Sequence, residues 1–396
     1  MKKIICIFLM LQCILFYFSA ASAENRGIAD DMIIMGHITA DTGPIAQDSQ
    51  SITRGIQNYI RHINELGGIN GRKVKLISED SGYSIPRALS AFKKLIYKDK
   101  VFTFFGPTST GEATALFPRI KKEKVVTIPL SGSETMAKPL KRYVFGFTLT
   151  YQDGIKILFD YAMSDQKATN PKMAIVYPDV EFGKVGMKEA RRQAKIYGVE
   201  LHEEILNMGS LEATSQVLSM KRYQPDYVIL QHVIAPAAIF LREARKFGLN
   251  TSFMGTLTDT NLDTVRMAKE AARGYVGVNC LRSWYEEISG VERMRNITLK
   301  FHPGTEKPYR SKYYTAGWIM GMLFKEGMKR AGRDLDNEAL VTALESIKDY
   351  DAWGLTGPIT YGPDDHKGQE YGILYKADVE NGIVRAFGDW RRPLHP

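Results

Sequence analysis

Cysteine is nearly absent from this sequence. There are three in 396 residues, and Cys6 and Cys13 lie in the apolar N-terminal stretch, which leaves Cys280 alone in the remainder. One thiol cannot close a loop within its own chain, so a disulfide framework is excluded, and Cys280 reads as a small core group. Seven histidines are present, but none stands at metal-ligand spacing, neither H-E-x-x-H nor a Cys–His cluster. G-x-G-x-x-G is missing as well, so no cofactor is expected. After the N-terminus no segment is apolar over the ~20 residues that span a bilayer. Lys and Arg number 53 against 44 Asp and Glu, yet the charges interleave, as in KKEK at 121–124 and KEARRQAK at 188–195. They read as solvated helix faces. A nucleic-acid groove would cluster basic residues with exposed aromatics, so no nucleic-acid partner is expected.

What is present begins with a leader. Lys2 and Lys3 precede an apolar stretch from Ile4 to about Phe18, and Ala21 and Ala23 form an A-x-A site. This is the pattern of a cleaved secretory signal peptide over residues 1–23. Cleavage after Ala23 leaves Glu24 first in a chain of 373 residues, with the formal +9 reduced to about +7 by loss of the two lysines. The expectation is an exported protein, long enough for two domains with a sizeable core.

From residue 31 apolar strands alternate with helical patterns. Strands are expected at 32–40, 73–80, 101–105 and 125–129, then at 173–177, 227–231 and 252–256. Helices are expected between them. In one, Ile52, Ile56, Tyr59, Ile60, Ile63 and Leu66 recur at helical spacing; another starts near Ser84 and Pro86; others cover 183–197, 211–222, 236–247 and 260–272. The strands are continuous apolar runs, as parallel strands covered on both faces require. Two doubly wound α/β lobes follow.

The short stretch FFGPTSTGEATALFP at 104–118 sharpens the functional question. Gly106 and Gly111 have phosphate-loop spacing, but Glu112 and Ala113 stand where Lys and Ser/Thr belong. Ser109 precedes Gly111 as in a nucleophile elbow, but the leading glycine is one residue early. Similar small-residue loops recur at 41–44, 129–133, 177–183, 231–236 and 255–260. All follow a strand and precede a helix or turn, so they gather at the carboxyl ends of the two sheets, where open α/β folds bind ligands. Hydroxyls and free helix N–H groups there suit an oxygen-bearing head group, with Gly106 and Gly111 expected to let the backbone approach closely. Phe182, Tyr151 and Tyr83 can cover an apolar body. Asp364, Asp365 and His366 read as a polar turn, and Trp318 with its neighbours reads as the core face of a long helix. Nothing in these patterns builds an enzyme site.

Several stretches together, TGPIAQ (42–47), INELGGINGRKVKL (63–76), GPTST (106–110), MAIVYPDVEFG (173–183) and GLTGPITYGPDDHKGQEYGILY (354–375), resemble the bacterial periplasmic solute-binding proteins of ABC transporters, in the branched-chain amino-acid (Leu/Ile/Val-binding) type. The resemblance covers residues 32–390. It implies the type I periplasmic-binding fold, with two lobes joined by three crossover strands and roughly divided as 24–148 with 280–358, and 149–279 with 359–396. It implies a small solute trapped between the lobes and a closed form that docks on a membrane permease; the leader adds the periplasm of a Gram-negative-type cell, and a monomer is expected. A sensor of the same fold that signals to a membrane receptor is the alternative. Position by position, the family's carboxylate grip falls on Ser109, Thr110, Leu130, Ser131 and Ser133, its covering aromatic on Phe182, a first-loop position near Asp48, and a second-lobe contact near His232. Its amine-gripping acid falls on Leu257, which cannot grip an amine, so either the solute lacks one or the role has moved to Asp48 or Asp259.

Overall fold

The computed structural model describes residues 26–302 and 311–395. The signal-peptide expectation lies outside the described residues. No described helix is long and apolar enough to cross a membrane.

Two sheets carry the chain. The first contains β1 (Met32–Thr39), β2 (Lys73–Asp80), β3 (Thr103–Phe105) and β4 (Thr127–Ile128), all parallel, in the order β2-β1-β3-β4. Between them run α1 (Ala46–Glu65), α2 (Ile85–Lys93) and α3 (Thr110–Glu123). The second sheet is fed by β5 (Met173–Tyr177), β6 (Leu201–Ile205), β7 (Tyr227–Leu230), β8 (Ser252–Gly255) and β9 (Val276–Asn279), again parallel. Its helices are α4 (Tyr151–Asp160), α5 (Glu181–Tyr197), α6 (Thr214–Tyr223), α7 (Ile234–Lys246) and α8 (Leu262–Ala268). After α9 (Ser289–Phe301), α10 (Lys312–Ala331) and α11 (Asn337–Glu345), the short pair β10 (Thr360–Gly362) and β11 (Asp365–Gly368) leads into β12 (Gly372–Asp378) and β13 (Ile383–Arg391). These last two strands extend the second sheet antiparallel beyond β9.

The expected central strands appear within a residue or two of their expected ends. Edge elements differ. β6 reads LHEEI, is half-buried up to Glu204 with Ile205 exposed, and lacks the apolar run that marks its neighbours. α6 starts at Thr214 rather than 211, leaving Leu211 almost fully exposed before it, and α1 ends at Glu65, so Leu66 caps the helix in solvent instead of joining its apolar face.

The chain passes between the sheets in three neighbouring segments that are tied crosswise. Leu281 bridges Thr356, the Gly146 N–H donates to the His366 carbonyl at 2.8 Å, and the Leu149 N–H donates to Cys280 Sγ at 3.1 Å. Cys280 is the expected core thiol, fully buried and pushed up to about 11 by burial. His366 corrects the polar-turn reading. It is fully buried, stacks on Phe145 at 3.8 Å between ring centroids, and meets Glu345 at 3.2 Å. The acids beside it disguised a packed junction as a solvated turn.

The late helix α10 returns to the first sheet and packs on α1. At their crossing a β-carbon on Gly55 would lie 2.2 Å from the Tyr314 carbonyl oxygen, and one on Gly317 2.3 Å from that of Ile52. Two glycines therefore set the helix–helix distance, and any larger residue would push the helices apart.

Candidate ligand-binding site

Each sheet has a switch point, where neighbouring strands send their following helices to opposite faces. In the first it lies between β1 and β3, in the second between β5 and β7. Crevices open at such points beyond the carboxyl ends of the strands. Both crevices face one cavity of about 50 Å3. One wall holds Ile45 and Asp48 after β1, Tyr83 after β2, Thr108 and Thr110 after β3, and Leu130 and Gly132 after β4; Lys312 and Tyr313 of α10 join it. The other holds Tyr151, Phe182 after β5, Val233 after β7, and Leu257 and Thr258 after β8.

The first wall is polar because turns start there. Ser109 is the N-cap of α3, and its Oγ accepts the Glu112 N–H at 3.4 Å. Thr110 Oγ1 and Ser131 Oγ lie 2.9 Å apart, and Ser131 Oγ accepts the Ser133 N–H at 3.3 Å. Ser133 in turn caps a short 3₁₀ turn through the Thr135 N–H. These hydroxyls are buried and already paired. Thr108 Oγ1 is different: it lines the cavity, is buried, and has no protein partner. Gly106 has φ of +89°, and a β-carbon there would lie 2.5 Å from the Ile38 carbonyl, so this turn demands glycine. Gly111 does not. Its β-carbon would meet only ordinary contacts, the nearest at 3.6 Å, which corrects the expectation that it lets the backbone approach closely. Tyr83 reaches the cavity from a left-handed backbone, φ +64°, a strained conformation for a tyrosine.

The second wall is apolar. Tyr151, Phe182, Val185, Val233 and Leu257 form one cluster, and Ile45 packs against it from across the cavity. The Tyr151 and Phe182 rings meet edge-on, 5.7 Å between centroids. His232 stands behind this wall, fully buried. Its Nε2 lies 2.7 Å from the Leu206 carbonyl, its Nδ1 accepts the Val233 N–H, and burial pushes its pKa down to about 4.

Lys312 joins the walls. It is 3% exposed and is the first residue of α10, where the helix dipole disfavours a cation. Its Nζ donates to the carbonyls of Leu257 and Thr260 on the opposite wall. Burial pushes its pKa down to about 8, opposed by the attraction first of Asp259 and then of Asp48. Tyr313 Oη donates to the Thr258 carbonyl at 3.1 Å, and Gln47 Nε2 donates to Asp263 Oδ2 at 3.4 Å. Asp259 is fully buried behind the cavity, accepting from Thr256 Oγ1 at 3.2 Å and Tyr275 Oη at 3.1 Å.

A family model described as periplasmic binding protein matches residues 33–382. The chain belongs to that family. It is similar to a Leu/Ile/Val-binding protein homolog of Brucella melitensis, 23% identical, with 87% of this chain and 91% of the relative aligned. Among solved structures it resembles a fatty acid ABC transporter substrate-binding protein from Thermomonospora curvata, with TM-score 0.84, 20% identity, and 93% and 94% of the two chains covered. It also resembles a branched-chain amino acid ABC transporter protein from Thermus thermophilus with bound valine, with TM-score 0.83, 20% identity, and 93% and 98% covered. The fold is that of the type I periplasmic binding proteins.

In this periplasmic binding protein the structure brings Asp48, Tyr83, Thr110, Leu130, Tyr151, Phe182 and Leu257 to the cavity. Ser109, Ser131, Ser133, His232 and Asp259 do not line it; they brace the turns behind it. Sequence reasoning missed Thr108, Val233, Lys312 and Tyr313. Thr108 and Val233 are neighbours of residues that it singled out. For Lys312 the one available signal was a cation opening a helix whose next residues are apolar, against the dipole rule.

Proposed function

We propose that this periplasmic binding protein is the solute-receiving component of an ABC importer and binds, without chemical conversion, one small organic solute with a carboxylate or carbonyl head and an apolar body. The observation that carries the reading is the cavity itself. It lies between two facing switch points, with an orphan hydroxyl, Thr108 Oγ1, at the end of α3 on one wall and an apolar cluster on the other. The hydroxyl and the free N–H groups of the α3 N-terminus favour the oxygen head, and Phe182, Val233 and Leu257 favour the body. The lobes divide at 24–148 with 280–358 and at 149–279 with 359–396. They act as a monomeric trap in the periplasm that presents its closed form to a permease. A solute touching both walls stabilises only the closed arrangement.

The test joins two measurements. A thermal-shift screen of amino acids, 2-oxo acids and fatty acids should find a solute that raises the midpoint. At 100 times its dissociation constant a ligand adds about 2.7 kcal/mol to stability. X-ray scattering with that solute should then give a smaller radius of gyration than without it. A saturating solute that leaves the radius unchanged would exclude the trap.

A further inference from the structure

Asp48 is the anomaly of the cavity. It sits in the first turn of α1, is 8% exposed, and lines the space, yet its Oδ1 has no hydrogen-bond partner. A buried carboxylate oxygen without a donor is destabilising unless something else supplies one. The protein does not. Lys312 directs its ammonium to the carbonyls of Leu257 and Thr260. The other acids nearby are engaged, Asp259 by Thr256 and Tyr275, and Asp263 by Gln47. Asp259 and Asp48 thus both act on one lysine, and the carboxylate that lines the cavity is the one with an oxygen to spare. A bound anion alone would worsen that imbalance, whereas a cationic nitrogen would correct it.

We infer that Asp48 is the specificity-determining residue of the site and accepts an N–H of a protonated amine on the solute, while Thr108 Oγ1 meets the solute's oxygen head from the same wall. The amine grip has thereby moved from the wall of Leu257, which offers only an apolar side chain, to the opposite wall at the start of α1. Leu257 keeps a different role: its carbonyl holds Lys312 and its side chain joins the apolar cluster. Among solutes with an oxygen head, the site then selects amino acids over their desamino and fatty-acid counterparts.

This inference rests on the proposed solute class, and the experiment separates the two. The probes are the amino acids, each paired with its 2-oxo and desamino acid, together with hexanoate and octanoate, titrated against the full exported chain and against Asp48→Asn. The expected result is that amino acids alone bind the parent, and that the variant loses their affinity by 100-fold or more while its circular dichroism stays unchanged. Desamino or fatty acids binding the parent as well as the amino acids overturns the inference and leaves the solute class standing. Equal affinity of parent and variant for the amino acid also overturns it. Failure of every probe to bind the parent overturns both.

Should Asp48→Asn fold poorly, the parent supplies a second readout. Burial raises the Asp48 carboxyl to about 7, opposed by Lys312 and reinforced by Asp263, with the Tyr313 hydroxyl also facing it. Since an ammonium requires the ionised form, affinity for the amino acid should be roughly tenfold weaker at pH 6 than at pH 7.5. A flat profile over that range contradicts the role.

Discussion

Between the wall built from the turns after β1 to β4 and the wall built from Phe182, Val233 and Leu257, the chemistry changes from hydrogen bonding to apolar packing. The first is the start of helices, so its groups are unpaired donors, caps and a carboxylate. The second presents side chains of one apolar cluster, and its Leu257, Thr258 and Thr260 carbonyls are already taken by Lys312 and Tyr313 from the first. Two walls of nearly the same topology thus divide the work. On the proposed function, one reads the polar features of a solute, and the other supplies contact area that tolerates variation in the solute's body.

If that division is right, substitutions should differ in kind as well as size. The largest effect should come from the bridge between the walls. Lys312→Met leaves the Leu257 and Thr260 carbonyls buried without their donor and removes the positive charge that acts on Asp259 and Asp48, and losing hydrogen bonds from a buried charged group costs about 1.5–3 kcal/mol each. Chemical denaturation would measure it, and adding Asp259→Asn should recover part of the loss. A loss below 1 kcal/mol would mean that the bridge is ornamental.

Next comes Asp48, with the opposite sign in the free protein. Its carboxyl is raised from 3.8 to about 7 by burial. The folded state therefore holds a proton that the unfolded chain releases between those values, and stability falls as pH rises from 4 to 7, by about 1.4 kcal/mol per unit at most. Above 7 this contribution is flat. Lys312, pushed down to about 8 from 10.5, sheds its proton on folding between those values, so stability recovers as pH rises from 8. Asp48→Asn should remove the first slope and raise the midpoint of the unliganded protein at pH 7.5, while weakening solute binding. A variant that is less stable than the parent at pH 7.5 would count against a strained, waiting carboxylate.

On the apolar wall, Phe182→Ala should weaken binding by about 2 kcal/mol through lost contact area, with similar losses across solutes that share an oxygen head. Calorimetric titration of several solutes would show this. A loss confined to one of them would make Phe182 a reader of polarity as well.

The smallest effects should come from the hydroxyls behind the polar wall. Ser109→Ala removes a helix cap and costs about 1 kcal/mol of stability. Ser131→Ala breaks its bonds to Thr110 and Ser133 at a similar cost. Binding should weaken no more than stability does in each, whereas Thr108→Val should affect binding with little change in stability.

How far the sequence shows all this depends on the kind of signal. Parallel strands buried on both faces announce themselves as apolar runs, so Met173–Tyr177 and Met32–Thr39 were plain. The loops at the strand ends were legible from their glycines, prolines and hydroxyls, and with them the place of the site. What was not legible was which atom of a loop faces inward. Ser109 and Thr108 are adjacent and chemically alike, yet one caps a helix and the other opens on the cavity. Lys312 was hidden because its partners are backbone carbonyls about fifty residues earlier, which no side-chain pattern records. His366 was hidden because a buried junction and an exposed turn share the same residue types.

The crossing of α1 and α10 at Gly55 and Gly317 also bears on how the chain is made. Residues 46–65 leave the ribosome long before their partner, residues 312–331. Until then α1 can meet β1 and β2, but its side at Gly55 and Tyr59 lacks the helix that covers it. A vectorially produced chain therefore stays short of a finished first half until that helix is made, and a chaperone meets an open substrate. Fragments ending before residue 312 should be unable to complete that half, whatever their length.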